Sequence, residues 1–540
     1  MPLSSRRIAM AQFRPRMGDL QFNAQRVLAY ARSAQANGAE LLLYPEMALL
    51  GYPPDDLLMR PALEAALAQT LHTLSAELPS SLPVLVGAPE FAPEGLYNAL
   101  YWLEQGQWRV VARKSALPNF GVFDEQRHFV ASAGPQVVDW DGCRLGLLIC
   151  EDLWDDQVCA ALTQQAPDLV LCPNASPFDQ QKRDQRQALL ARRVNQWGAP
   201  TAYLNMVGGQ DELVFDGNSQ CWDAQRGAVN VSQVPTEALL LADVEAGRWR
   251  SAVWDAPPVE PLQLLSDIIA LGLRDYFREN GFAHIFVGLS GGIDSALVLA
   301  LAVQAVGSQQ VTAVAMPSPY TAQMSLEDAR QQAQWLNVEY LELPIAPMMD
   351  AFEQCLAPVH QGQPADTTEE NIQARSRGTL LMALANKRRG LVLATGNKSE
   401  LAVGYCTLYG DMCGGFAPIK DLYKMQVYAL ARAMNQRFAQ IPDRVITRAP
   451  SAELRPDQRD EDSLPPYAQL DAWLEALIEQ EHGPQWLIDR GAPASEVMRV
   501  TRLLRMAEFK RRQAAPGPKL TPKAFGRERR YPISARYPLL

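Results

Sequence analysis

The chain has 540 residues, too many for one ordinary hydrophobic core, so two domains are expected, each large enough to bury an interior. Hydrophobic residues make up 48% and charged residues 20%, as in soluble globular proteins, and a formal net charge of −10 argues against duplex nucleic acid as a partner. The eight cysteines are scattered with no Cys-x-x-Cys pair and only five histidines occur, so neither a disulfide framework nor a structural zinc site is expected, and the lack of a long apolar stretch points to a cytoplasmic chain without a membrane span.

In chain order, short apolar runs predict strands over Arg7–Phe13, Glu40–Tyr44, Val84–Ala88, Ala99–Leu103, Arg144–Ile149, Leu169–Cys172 and Pro200–Asn205. Helix-period segments such as Asn23–Asn37 and Lys182–Trp197 lie between several of them, which argues a layered α/β domain. The stretch Val253–Pro261 holds three prolines and cannot sit inside a helix or a central strand, so the boundary is set there: one domain over 1–255, a second over 262–540. The second half predicts a helix over Leu262–Asn280, a strand over His284–Leu289, a Gly-rich turn and a helix over Ser295–Val306. Val311–Met316, Leu326–Leu336 and Glu339–Leu343 then read as strand, helix and strand. That alternation favours a doubly wound parallel sheet. The tail Gln513–Arg530, rich in Pro, Lys and Arg, reads as irregular.

Three segments of the first half place reactive side chains at the ends of apolar runs. Glu46 follows Leu42-Leu43-Tyr44-Pro45, Lys114 follows Arg113 before a proline-marked loop, and Cys150 follows Leu147-Leu148-Ile149 where a strand gives way to an expected helix. Helical N–H groups and a nearby lysine both favour a thiolate, and a glutamate can take and return its proton. Singly each segment is ordinary, since a cysteine ending an apolar strand is more often inert core. Together, strand ends of one sheet are expected to converge on one pocket. The ordered trio resembles the nitrilase-type amidases, whose fold is an α-β-β-α sandwich. The resemblance implies Glu46 as general base, Lys114 as oxyanion stabiliser and Cys150 as nucleophile on a carboxamide, with Glu125 matching a second glutamate near such triads. In the glutaminase branch it further implies glutamine binding by Ser176, Lys182 and the position held by Phe120, where a tyrosine is common.

The second half carries the sharpest signal: Phe286-Val287-Gly288-Leu289-Ser290-Gly291-Gly292-Ile293-Asp294-Ser295, an apolar strand entering a Gly-rich turn that opens a helix. Glycines let successive N–H groups point at one anion, and the helix start adds partial positive charge. No lysine closes the turn, so the cation that reaches terminal phosphates must come from elsewhere. The segment is similar to the PP-loop of the ATP pyrophosphatases, an adenine nucleotide alpha hydrolase-like fold. Asn371-Ile372-Gln373-Ala374-Arg375-Ser376-Arg377, Ala394-Thr395-Gly396-Asn397-Lys398-Ser399-Glu400, Tyr409-Gly410-Asp411 and Pro418-Ile419-Lys420-Asp421-Leu422-Tyr423-Lys424 then follow in an order that resembles the NAD synthetases.

That resemblance implies ATP binding by Gly288, Leu289, Ser290, Gly291, Gly292, Ile293, Asp294, Ser295, Thr395, Lys424 and Ser451. It implies deamido-NAD binding by Asn371, Glu400 and Lys510, and Mg²⁺ held by Asp294 and Glu400. The activity it implies is ATP-dependent amidation of deamido-NAD to NAD with ammonia from glutamine, by a homo-oligomer. A PP-loop amidotransferase acting on another carboxylate is the alternative. Leu408 departs from ammonia-only relatives, which carry a lysine there, so that contact is not carried over.

Overall fold

The computed structural model describes residues 5–250, 254, 258–360, 362–451, 453–455, 458, 460–462 and 464–535. Val253, Asp255, Ala256 and Pro257 of the proline-rich stretch lie outside the described residues. The chain divides into two compact units, one of Met1–Gln210 with Val214–Val259 and one of Asp211–Leu213 with Glu260–Leu540. Among the described residues no helix is long and apolar enough to cross a membrane.

Period-two alternation builds the first unit. Ile8 and Met10 of the strand Arg6–Gln12 enter the same apolar core as Leu41 and Leu43 of Leu41–Leu43, while Ala9 and Ala11 face the other side of the pleat. Leu169 and Leu171 of Leu169–Asn174, with Ala202 and Leu204 of Thr201–Asn205, reach that core from a second sheet. Their neighbours Val170, Cys172 and Tyr203 instead meet Leu189, Leu190 and Val194 of the helix Lys182–Trp197. Two sheets thus share one interior, with helices outside, an α-β-β-α sandwich. The first sheet has seven strands in the order Arg248–Trp249, Ala238–Glu245, Arg6–Gln12, Leu41–Leu43, Val84–Ala92, Gly95–Glu104, Gln107–Arg113. The second has six: Gly227–Val231, Gln220–Asp223, Thr201–Asn205, Leu169–Asn174, Cys143–Leu147, Gln136–Trp140. Parallel pairing at the centre, with Ile8 opposite Leu41 and Leu145 opposite Leu169, brings the C-terminal strand ends to one edge of each sheet.

In the second unit four parallel strands run in the order Glu339–Glu342, Val311–Ala315, His284–Gly288, Gly390–Leu393. The first strand in sequence is therefore central, and the order reverses between it and Gly390–Leu393. A crevice opens outside the carboxyl ends of such a pair. Phe286, Val314 and Val392 pack on Leu381 and Ala385 of the helix Thr367–Arg388. The opposite face carries the helix Ile293–Val306, buried through Leu297, Val298, Leu299, Ala300 and Leu301, which packs on Pro261–Glu279 and Lys424–Arg437. The tail is irregular as expected, yet Lys519–Thr521 is buried, because Asp421 accepts the backbone N–H groups of Leu520 and Thr521 at 2.7 Å each.

One glycine fixes how closely the first sheet approaches its own loop. A Cβ on Gly87 would stand 2.4 Å from the Met47 nitrogen and 2.6 Å from the Pro45 oxygen, backbone atoms that cannot swing away. Gly87→Ala is expected to destabilise the chain by about 1–3 kcal/mol through overpacking, measured as an earlier unfolding transition in a denaturant series.

Candidate active sites

Three strands of the first unit that end at the common edge each deliver one functional group. Glu46 lies three residues beyond Leu41–Leu43, Lys114 directly follows Gln107–Arg113, and Cys150 lies three residues beyond Cys143–Leu147. The first two come from one sheet and the nucleophile candidate from the other, so the convergence expected within one sheet occurs across the sandwich.

Lys114 is fully buried and its Nζ donates to Glu46 Oε1 and to Glu125 Oε1, both at 2.7 Å. Asn98 Nδ2 donates to the same Glu46 oxygen at 2.7 Å, and the Ala175 N–H donates to the other at 2.9 Å. Tyr52 donates its hydroxyl to Glu125 at 2.7 Å. Burial works against the ammonium, but Glu125 and Glu46 outweigh it and hold Lys114 well above its ordinary value. Burial pushes Glu125 up to about 7 against the pull of Lys114, with Glu46 adding to the push.

Cys150 stands at φ 49° in the left-handed region, a conformation that costs a non-glycine residue on the order of 1 kcal/mol or more. The expected helix does not open there. A four-residue 3₁₀ turn, Cys150–Leu153, comes first, and the helix Asp156–Gln164 starts later, capped by Asp155. Asp152 holds the turn: its carboxylate accepts from the Ser115 and Ala116 N–H groups at 2.8 and 2.7 Å and from the Ile149 N–H at 3.0 Å. One buried side chain thus ties the lysine loop to the cysteine loop. Where a depressed thiol was expected, burial first and then Glu46 push Cys150 up, outweighing Lys114.

Ser176 is buried, and its hydroxyl accepts from Arg186 at 3.2 Å while Arg186 also binds Asp216 at 2.7 Å. Lys182 opens its helix, lies 4.2 Å from the Trp154 ring centroid, and interacts electrostatically with Glu151 and Cys150. Phe120 is not gathered in: it is 61% exposed and packs edge-on against Phe123.

The second unit holds a cavity of about 590 Å³ at its strand ends. Gly288, Leu289, Ser290, Gly292, Ile293, Asp294 and Ser295 line one wall, and Asn371, Thr395, Glu400, Lys424, Ser451 and Lys510 line the others. Gly291 lies behind the wall at φ +80°, where an added Cβ would stand 2.5 Å from the Ser325 carbonyl oxygen. Within the turn, Ser295 donates to the Gly292 carbonyl at 3.0 Å, and the Gly292 N–H donates to the Ser290 hydroxyl at 3.2 Å. Lys424 donates to Asp294 and, at 3.2 Å, to Glu400. Asn397 caps the helix Lys398–Val403 reciprocally with Glu400 and donates to Asp294 at 2.9 Å. Burial pushes Glu400 up to about 8, countered by Lys424 and reinforced by Asp294 and Asp460. Thr407 donates to Asn371 at 2.8 Å, Ser451 donates to the Gln458 carbonyl, and Lys510 donates to the carbonyls of Gly404 and Cys406 at 2.7 and 2.6 Å.

Sequence reading missed Asn98, Asp152 and Asp460, and gave Arg377 only a place in a motif. Asn98 was visible as an amide inside the apolar run Tyr97–Leu103, and such a residue needs a buried partner. Asp460 sits in an acidic run that reads as solvated surface, although Tyr467 donates to it at 3.0 Å and it is buried.

A sandwich with a buried Glu–Lys–Cys cluster and a parallel sheet with a Gly-rich cavity define a carbon–nitrogen hydrolase joined to a nucleotide-consuming synthase. Residues 7–252 match the carbon-nitrogen hydrolase family model and 265–514 match that of NAD synthase. A glutamine-dependent NAD(+) synthetase of Xanthomonas campestris is 46% identical over 98% of both chains, and one of Acinetobacter baylyi is 43% identical, also over 98% of both. The structure of the Acinetobacter baumannii glutamine-dependent NAD+ synthetase, in complex with ADP, superposes with a TM-score of 0.80 at 40% identity, covering 98% of each chain. The chain belongs to the glutamine-dependent NAD(+) synthetase family.

A raised Cys150 thiol makes a direct prediction. Its alkylation by iodoacetamide, followed by peptide mapping, is expected to be slow at neutral pH and to keep rising beyond pH ~9, the region of an ordinary thiol. A plateau reached near pH ~7 would contradict the burial argument.

Proposed function

We propose that the two sites carry out the two halves of one reaction, with residues 1–255 hydrolysing glutamine and residues 262–540 using ATP and the released ammonia. The reaction is the ATP-dependent amidation of deamido-NAD to NAD, with AMP, pyrophosphate and glutamate as the other products. The observation that carries this reading is the fully buried contact between Lys114 and Glu46 beside Cys150, on the same chain as the cavity lined by the phosphate turn.

In the hydrolase half, Glu46 takes the Cys150 proton as the sulfur attacks the carboxamide carbon of glutamine. Lys114 and the N–H that follows the nucleophile stabilise the tetrahedral oxyanion. Glu46 then returns the proton to the departing ammonia, and water cleaves the thioester. Ser176 and Lys182 hold the amino-acid end of glutamine. Phe120, exposed as it stands, serves as an apolar edge to the entrance and supplies no hydroxyl.

In the synthase half, the nicotinate carboxylate attacks the α-phosphorus of ATP, pyrophosphate departs, and ammonia displaces AMP from the adenylate. The turn from Gly288 to Ser295, with Thr395, Lys424 and Ser451, binds ATP; Asn371, Glu400 and Lys510 bind the dinucleotide. Asp294 and Glu400 suit Mg²⁺: two hard carboxylates converge on one point, now shared by Lys424. Among the described residues no cluster of three or more His, Cys, Asp or Glu is arranged for a metal, so a cation at this point would complete its shell on phosphate oxygens and water. When bound, Mg²⁺ neutralises charge on the phosphates. The reading extends to a cytoplasmic homo-oligomer. The helix Ala346–His360 supports the assembly, because none of its residues is buried and it exposes Phe352 and Val359.

The test supplies deamido-NAD, ATP and Mg²⁺ with glutamine or with ammonium as nitrogen source. Glutamine is expected to yield NAD; no NAD from either donor would overturn the reading. Cys150→Ala is expected to lower the glutamine-driven rate by about three orders of magnitude or more while ammonium still supports synthesis. Chelating Mg²⁺ with EDTA is expected to abolish synthesis from both donors, and added Mg²⁺ to restore it.

A further inference from the structure

The phosphate turn brings no cation of its own, yet the group that leaves it, pyrophosphate, concentrates the negative charge of two phosphates. Among the described residues the cations lining the cavity are Arg377, Lys424, Arg448 and Lys510. Three of them are paired with groups other than Ser325, the residue that packs against Gly291. Lys424 is clasped by Asp294 and Glu400, Lys510 donates to two backbone carbonyls, and Arg377 donates to the Met316 carbonyl at 3.0 Å.

Arg448 is placed differently. Its Nη1 donates to the Ser325 hydroxyl at 2.9 Å, and its Nη2 meets Glu453. Ser325 is the residue that presses on the turn: its carbonyl oxygen and Cα lie 2.5 and 2.8 Å from where a Gly291 Cβ would be. Arg448 is therefore held one residue away from the Gly291 end of the turn, whereas Lys424 meets the turn at its other end, Asp294. Two cations bracket the anion cradle.

We propose that Arg448 binds the β- and γ-phosphates of ATP and holds the departing pyrophosphate. This rests on the reading above, in which the turn binds ATP and Glu400 the dinucleotide: Glu400 is joined through Lys424 to the Asp294 end, which leaves the Gly291 end for the terminal phosphates. A guanidinium suits that end because its planar fork meets two phosphate oxygens at once, which an ammonium cannot do. Glu453 keeps Arg448 in place between turnovers and can release it without being stranded. Its carboxylate also accepts from the Ser325 hydroxyl at 2.6 Å and from the Ala322 N–H at 3.2 Å, so it stays hydrogen-bonded when the guanidinium turns to phosphate.

The test is equilibrium binding of inorganic pyrophosphate with Mg²⁺, and separately of AMP, to the full-length protein and its variants. Arg448→Ala is expected to weaken pyrophosphate by about ten-fold or more, the scale of a lost charge-assisted hydrogen bond, with AMP affinity unchanged. Glu453→Gln, which removes the competing charge and keeps an acceptor, is expected to tighten pyrophosphate binding. Unchanged pyrophosphate affinity in Arg448→Ala, or equal loss of pyrophosphate and AMP, would overturn the assignment. If Arg448→Ala fails to fold, Glu453→Gln decides alone, and weaker or equal pyrophosphate binding there counts against the proposal. An unaltered protein that binds neither ligand would instead sink the functional reading on which the proposal stands.

Discussion

An ammonium group taken out of water survives only if opposite charge closes around it, and this constraint shapes both units. Lys114 lies between Glu46 and Glu125, Lys398 between Asp421 and Glu479, and Lys424 between Asp294 and Glu400. Withdrawing each ion from water costs several kcal/mol even after relaxation, and removal of one partner strands the other. The partners come from different segments of the chain, so each clasp also fixes the relative position of those segments. Lys398 shows the mechanical side of this most plainly. It also donates to the Thr521 hydroxyl at 2.6 Å and the Lys523 carbonyl at 2.9 Å, anchoring the irregular tail to the helix start that carries Asn397 and Glu400.

Strand topology then decides where the clasps fall. In the synthase unit the order of strands reverses between His284–Gly288 and Gly390–Leu393, and each leads through a turn into the helix whose first turn carries Asp294 or Glu400. Lys424 reaches the same point from the start of another helix. In the hydrolase unit the same role is played by the facing edges of two sheets. The candidate site groups can therefore be precisely placed, because each sits on a short loop or a helix start that follows a rigid element closely.

Much of this was legible in the sequence, and the unread part has a physical pattern. Local signals survived: the turn Ser290–Ser295, the apolar strand before it, and Glu46, Lys114 and Cys150 at the ends of apolar runs. Whether those ends shared a sheet was not readable, since pairing is non-local, and Cys150 in fact comes from the opposite sheet. Outer strands such as Gln136–Trp140 and Gly227–Val231 were passed over because their half-exposed faces dilute the apolar signal. Asp152 escaped because its partners, Ser115 and Ala116, lie in a different segment, and nothing local distinguishes it from a solvated carboxylate. The helix expected from Cys150 onward failed for the same reason. Asp152 receives the Ile149 N–H and tightens the chain into a 3₁₀ turn before the α-helix can begin.

That turn alters how the nucleophile works. A thiol at the mouth of an α-helix would be ionised by the helix and reactive toward any electrophile. Cys150 is instead buried at a left-handed residue, beside Glu46, where burial keeps the proton on sulfur. In the proposed reaction the nucleophile is then made at the moment of attack, by a carboxylate whose oxygens are already fixed by Lys114, Asn98 and the Ala175 N–H. Glu46 is thus oriented by groups that hold it still, and proton transfer is tied to the arrival of a carboxamide that can receive the sulfur. Under the proposed function, a site built this way restrains wasteful chemistry at rest, because a thiol that holds its proton attacks little until a base and a carboxamide are both in place.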